Sequence, residues 1–433
     1  MHHLRMFVYK ALCFSVLLSW SSMSLCAELT DLYQAEVDAN QSQNQWQQAA
    51  VASVLVKLTG GEAILKNPAI ATAIRSSSDF IKQFQMVQRD GRNLLQVTLD
   101  QQKISSLLQQ LQIPIWGSRR PDVLLWLTEK TLEAPQLVVL AEHPLRNALI
   151  AQAKTYGLSY LFPRYDEQEV ALINAAALWS GDWSGLTQVS SSYQATQVFN
   201  LLVEQNVDLT GQLQYRLTSQ TWLDGVLQTQ EFTGADINAL LLQFSQQLAA
   251  AQAAQYAVNV QAGAVTDSVL QLKLEGIESL TDLVSVQKLF TAMLTVRQQQ
   301  LVAFQPGQAT IQLTLASTEP DFYRALALEK QLQPQYDVKN SMVEGETTSD
   351  TTNLNEQSTA QQPVASDTMN HPIPSQTAPA ISDAEQALEA ALSSEPDETT
   401  GLVDAATSNV LPVTPPASVV IPLGHAHFRF VRP

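Results

Sequence analysis

Few residues in this chain are of a type that performs catalysis. Its six histidines include His2 and His3 at the start and His371 in a polar, acidic stretch, which leaves His143, His425 and His427 in segments that read as folded. The only cysteines, Cys13 and Cys26, both fall within the first 27 residues. No H-E-x-x-H, G-x-S-x-G or glycine-rich phosphate loop occurs, so triad and zinc chemistry lack their usual signatures. Asp166, Glu167 and Glu169 could supply a glycosidase acid–base pair, although a charged turn is the ordinary explanation for such a run. His425 and His427 at i, i+2 could touch a metal, but zinc sites need a third or fourth ligand and none stands nearby. The expectation is no catalytic residue, no metal and no cofactor.

Three groups could instead bind something. Trp116, Arg119 and Arg120 lie within I-P-I-W-G-S-R-R-P-D-V-L-L-W-L (113–127), where a guanidinium could pair with an acid or stack on the indole; a domain-joining ion pair is the plain reading. Trp179 and Trp183 flank a Ser-Gly-Asp turn and could form a stacking platform or simply cap a core. His425, His427 and Arg429 alternate with Phe428, so on a strand they would share one face. Lys273 and Thr314 would join that face from neighbouring strands.

The elements that must carry these groups are expected to form an α+β protein of three small α/β modules in series. The first (28–112) opens with a strand at 32–37 and a helix bearing Ala50, Val54 and Leu58, stopped by Gly60-Gly61. A helix at 68–81, a hairpin turning at Arg89–Arg92 and an amphipathic helix around Ile104–Leu111 follow. The second module (113–257) starts with an apolar strand at Val123–Leu127, expected to be covered on both faces. It continues with a strand at 137–141, a helix from Pro144 to Tyr156 capped by His143, a strand at 158–162, a meander at 198–203, 207–218 and 222–232, and a helix at 236–256.

In the third module (266–332 plus 421–433), Leu270, Leu272 and Leu274 alternate, a helix capped near Ser279 carries Leu283, Val286 and Phe290, two strands turn at Gln305–Gly307, and a helix starts at Thr318 with Phe322, Ala325, Leu328 and Leu332 facing inward. That is βαββα, one strand short of a ferredoxin-like βαββαβ domain. Phe428 and Phe430 at the far end supply the missing alternation. Residues 333–420 are rich in Thr, Ser, Gln, Pro and acids and are expected to be a disordered insertion. Relative to a four-residue loop, closing it costs roughly 2.7 kcal/mol, whereas burying two Phe side chains returns on the order of 3 to 6 kcal/mol. The last strand should therefore dock. Within the insertion, Ser382 and Glu385 could cap a short helix at 384–392.

Compartment follows from the first residues. Arg5 and Lys10 precede an apolar run at 11–20, and Ser-Leu-Cys-Ala (24–27) ends it, the pattern of a secretory signal peptide. Cleavage after Ala27 would leave no thiol; acylation of Cys26 is the alternative, disfavoured by the bulk of Leu25. The mature chain would hold 22 basic against 41 acidic residues, a net charge of −19, which argues against nucleic acid as a partner. Twelve of those acids lie in residues 340–428, which contain no Lys or Arg.

Glu36-Val37, the run Val54–Gly60, Asn67-Pro68, Pro114–Gly117, Arg120-Pro121 and Trp126-Leu127 together resemble family two thousand and sixty-six of the domains of unknown function, a group of exported gammaproteobacterial proteins. The resemblance covers about 28–257 and extends toward 332. It implies an envelope location and supplies no activity or catalytic residues. Small α/β modules in series are also similar to envelope accessory proteins, an analogy that carries no function. The expectation is a non-enzymatic, exported periplasmic adaptor or assembly factor that binds an envelope protein partner and has no membrane span; whether it also takes a small ligand is open. The competing expectation is an enzyme or carrier acting on cell-wall fragments in a cleft between the first two modules, around Trp116, Arg119 and Arg120.

Overall fold

A computed structural model describes residues 31–335, with short breaks at 90, 132–133, 208–209, 224 and 261–267, and residues 427–432. All of these fall in one compact unit, residues 1–336 with 413–433. The acidic stretch from 336 to 426, with its Ser382–Glu385 motif, His371 and His425, lies outside the described residues, as does the leader with Cys26.

The first sheet has the order β1 (Gln34–Asp38), β3 (Arg92–Leu99), β2 (Ile81–Arg89), antiparallel throughout. Helix α1 (Gln43–Thr59) packs Ala50, Val54 and Leu58 against Val97 and Leu99 and ends at Gly60, whose φ of 77° is the left-handed stop. A Cβ at Gly60 would come within 2.2 Å of the Ala253 Cβ, so glycine is needed there for space as well as for conformation. Helix α2 (Pro68–Arg75) stops short of the expected Ile81 and is followed by a 3-10 turn at Ser77–Phe80. Helix α3 (Gln101–Gln110) closes the unit.

The second sheet is built on β4 (Asp122–Lys130). One edge of β4 is parallel to β7 (Gln197–Val207); the other is shared by β6 (Ser159–Leu161), parallel, and β5 (Gln136–Leu137), antiparallel. Strands β8 (Leu213–Leu223) and β9 (Val226–Gly234) complete the meander. Helices α4 (Pro144–Tyr156) and α8 (Ile237–Tyr256) cover Val123, Leu125 and Leu127. Ile173, just after helix α5 (Glu167–Leu172), with helices α6 (Ala175–Ser180) and α7 (Trp183–Ser190), covers Leu124 and Trp126 on the opposite face, which is why the strand reads as continuously apolar. Two expectations are corrected. The strand at 137–141 shrinks to two residues, because β6 already occupies the first half of that edge of β4, leaving Val139 and Leu140 exposed. The meander's first turn falls after Val207, which belongs to β7.

The third sheet has the order β11 (Val296–Gln305), β12 (Gly307–Leu315), β10 (Val269–Ile277), β14 (His427–Phe430), β13 (Leu332–Pro334). Helix α9 (Leu280–Ala292) and helix α10 (Glu319–Leu326) bury Val286, Phe290 and Phe322 with the inward residues of the sheet. The terminal strand docks beside β10 as expected, with Phe428 and Phe430 in the core. It runs parallel to β10, however. A chain that leaves β12 through one helix returns antiparallel to β10, and β13 has that direction. Leu332 was expected on the helix; it instead opens β13, one place outward, and β14 inserts between β10 and β13. Gly276, with φ 81°, clears the way, since a Cβ there would sit 2.7 Å from the Phe430 carbonyl oxygen.

Candidate functional site

The segment from Ile115 to Asp122 is where the three sheets meet. Ile115 exchanges two backbone hydrogen bonds of 2.9 Å with Val258, and Trp116 N donates to Leu58 O at 2.8 Å, so the linker is stitched to the end of α1 and to the chain leaving α8. Arg120 is almost fully buried, with its guanidinium 3.4 Å over the Trp116 ring. Its Nε donates to Gly117 O (2.6 Å), and its Nη2 donates to Lys57 O and Trp116 O (both 2.9 Å).

Among the described residues no acid pairs with this cation. It lies at the carbonyl end of α1 and against Gly157 at the end of α4, where two helix dipoles present partial negative charge. Burial still pushes the Arg120 pKa well below its ordinary value, with the Tyr33 hydroxyl opposing; guanidinium keeps its proton regardless. Lys57, beside it, donates to Gln34 O at 2.8 Å, and burial lowers its pKa too.

Toward the third module, Arg119 pairs with the buried Glu329, and Asp122 accepts from Ser159 Oγ (2.6 Å) and from Lys330 Nζ (2.8 Å). Arg324 Nη1 adds a bond to Gln255 O at 2.9 Å. Trp116, Arg119 and Arg120 are thus consumed in holding modules together. Trp116 and Arg120 are both buried at this junction.

Trp179 and Trp183 are placed on two successive short helices. Gly181 (φ 83°) caps the end of α6, and Asp182 caps the start of α7 by accepting from Ser184 N. The indoles part company: Trp183 is buried against Trp222, with ring centroids 6.3 Å apart, whereas Trp179 lies under Lys130 Nζ at 5.2 Å. Of the three acids after β6, Glu167 is exposed and the other two are occupied. Asp166 caps α5, and the buried Glu169 accepts from Tyr165 N and from the Tyr193 hydroxyl. His143 caps α4, its Nδ1 accepting from Leu145 N at 3.3 Å.

Among the described residues, no helix packs on one face of the third sheet. In register across it stand Thr310, Lys273 and His427, and in the next row Gln308, Glu275, Arg429 and Gln333. Thr314 is on the same face but pairs with Val269, four positions along the strand from the Lys273 row; Thr310 is the threonine that borders the histidine. Lys273, Glu275 and Arg429 are exposed. The sequence reading missed what anchors this strand. Arg432 Nε and Nη2 donate to the two Asp282 oxygens at 2.9 and 2.8 Å, and Nη2 reaches Glu278 at 3.2 Å. Asp282 also closes the capping box with Ser279 at the start of α9. The hydrogen bonds from Arg432, aided by Ser279, hold its carboxyl well below the usual range.

Among the described residues no cluster of three or more His, Cys, Asp or Glu could hold a metal, and no helix is long and apolar enough to cross a membrane. No curated protein matches the chain, and no solved structure does. The resemblance to family two thousand and sixty-six is not confirmed. The family model that matches is described as Domain of unknown function (DUF8605), and it covers residues 26–117, the first sheet with its helices and the linker up to Gly117.

Proposed function

We propose that this is an exported, non-enzymatic protein of the cell envelope, a periplasmic adaptor or assembly factor that holds a protein partner on the open face of its third sheet. The observation that carries the reading is that face. Lys273, Glu275 and Arg429 are exposed on the face opposite the one that, among the described residues, the helices cover. Mixed charges flanked by Gln and Thr suit a polar protein surface better than a small apolar ligand. The buried junction supports the same reading, since three modules tied by Arg119, Arg120, Asp122 and Arg324 form a preorganised scaffold. The leader-like first 27 residues support the compartment.

The test is photo-crosslinking in cells from residue 429, with a Lys273→Glu, Arg429→Glu chain as comparison. A single partner captured from residue 429 and lost with the charge reversal is expected. Capture that ignores the reversal would refute the surface. A chain found at full length in the cytosol, rather than shortened after Ala27, would refute the compartment.

A further inference from the structure

Among the described residues strand β2 is an outer strand of the first sheet, and neither a proline nor a bulge within its central stretch blunts that edge. It runs nine residues without proline, and its pairing with β3 is unbroken from Gln83 to Arg89, with a single irregularity at the start. An unpaired edge presents outward N–H and C=O groups at every second residue, a template for one more strand. Natural proteins bulge or shorten such edges. Strand β11, the corresponding edge of the third sheet, carries two register shifts.

The side chains on β2 point the same way. Phe84 pairs with Val97 and Met86 with Leu95, and those partners are buried under α1. Phe84 and Met86 themselves are 57% and 70% exposed because the helix layer stops short of the outer strand. Phe84 leans on Trp46, ring centroids 5.0 Å apart, so an apolar ledge continues from the core to the rim. Charge selects further. Residues 81–99 contain Lys82, Arg89 and Arg92 against a single acid, Asp90, in a chain of net charge −17; Arg89 is paired with Glu36 at 2.8 Å, which leaves Lys82 near one end of the strand and Arg92 near the other.

We infer that the free edge of β2 docks an extended segment of a partner protein as a fourth strand, with large apolar side chains at alternate positions beside Phe84 and Met86 and carboxylates near its ends. Backbone bonds along the edge supply affinity, and the ledge and cations supply selectivity. The surface is separate from the open face of the third sheet and shares with that reading only the premise that the chain binds protein.

The experiment uses the full chain and a displayed library of random decapeptides; the recovered sequence is synthesised with a fluorophore and titrated by anisotropy. Expected are alternating apolar residues flanked by Asp or Glu, and Kd raised by at least about tenfold in Met86→Lys. N-methylation of the peptide at one alternate set of residues should abolish binding, and at the other set leave it intact. Position 86 is on the surface, so Met86→Lys should fold normally by circular dichroism, and Met86→Ser serves as a second variant. Lys273→Glu should leave Kd unchanged, which separates failure of this proposal from failure of the third-sheet surface. Recovery of no binder, binding indifferent to both Met86 variants, N-methyl effects without alternation, or a dimer abolished by Met86→Lys would each overturn it.

Discussion

Replacing Phe428 by alanine tests how the terminal strand is held. Phe428 is 2% exposed and pairs with Leu274 on one side and Pro334 on the other. Truncating a buried Phe costs about 3 to 5 kcal/mol. The docked strand gains on the order of 3 to 6 kcal/mol from its two phenylalanines and spends roughly 2.7 kcal/mol on closing the segment before it. Ladder hydrogen bonds add about 0.5 to 1.5 kcal/mol each. Losing one phenylalanine therefore consumes most of the docking margin while β10, β11 and β12 retain their own core. Hydrogen exchange read by mass spectrometry should show protection at 332–335 and 427–432 falling by about a hundredfold, the equivalent of roughly 3 kcal/mol. Protection in β11 and β12 should change far less. Arg429→Ala, on the open face, should stay within about 0.5 kcal/mol. Unchanged exchange at 427–432 in the Phe428 variant, or equal loss across the whole sheet, would refute the idea of a separately docked strand.

Arg120→Lys should destabilise the chain by about 2 to 4 kcal/mol in urea denaturation, because one ammonium cannot serve the three carbonyls that the guanidinium reaches. Gly60→Ala should cost about 1 to 3 kcal/mol through its positive φ and its collision with Ala253, and Ala253→Gly in the same chain should restore part of the loss in thermal melts. The Asp282–Arg432 contact should be acid-sensitive. The folded carboxyl titrates below its ordinary 3.8, so its contribution is present above about pH 4 and is lost as pH falls through the folded value. Protection of residues 430–432, taken relative to the intrinsic exchange rate at each pH, should fall on acidification, and Asp282→Asn should produce the same fall at neutral pH.

Local signals were legible wherever one short stretch decides the outcome. Gly60 and Gly157 end their helices with left-handed backbone, Asp236 and Ser279 start theirs, and β2–β3 turns at Arg89–Arg92. Each depends on residues within one turn of each other, so propensity and periodicity suffice. The strand at 137–141 failed for a different reason: its apolar run met an edge already shared with β6. Strand β13 was read as helix because Leu332 continues the apolar spacing of α10, and only the insertion of β14 beside it makes a strand worthwhile.

The candidate sites divide the same way. Alternation alone put His427 and Arg429 on one face and Phe428 on the other, since a strand turns successive side chains to opposite sides. Which charge meets which could not be read. Arg119 and Asp122 carry signs complementary to Glu329 and Lys330, yet about two hundred residues separate the pairs, and complementary signs are common in any chain. Only the packed arrangement turned Trp116 and Arg120 from a possible recognition patch into a buried joint. Side-chain identity names the available chemistry, whereas burial, which depends on every neighbouring element at once, decides whether that chemistry faces a ligand or the protein itself.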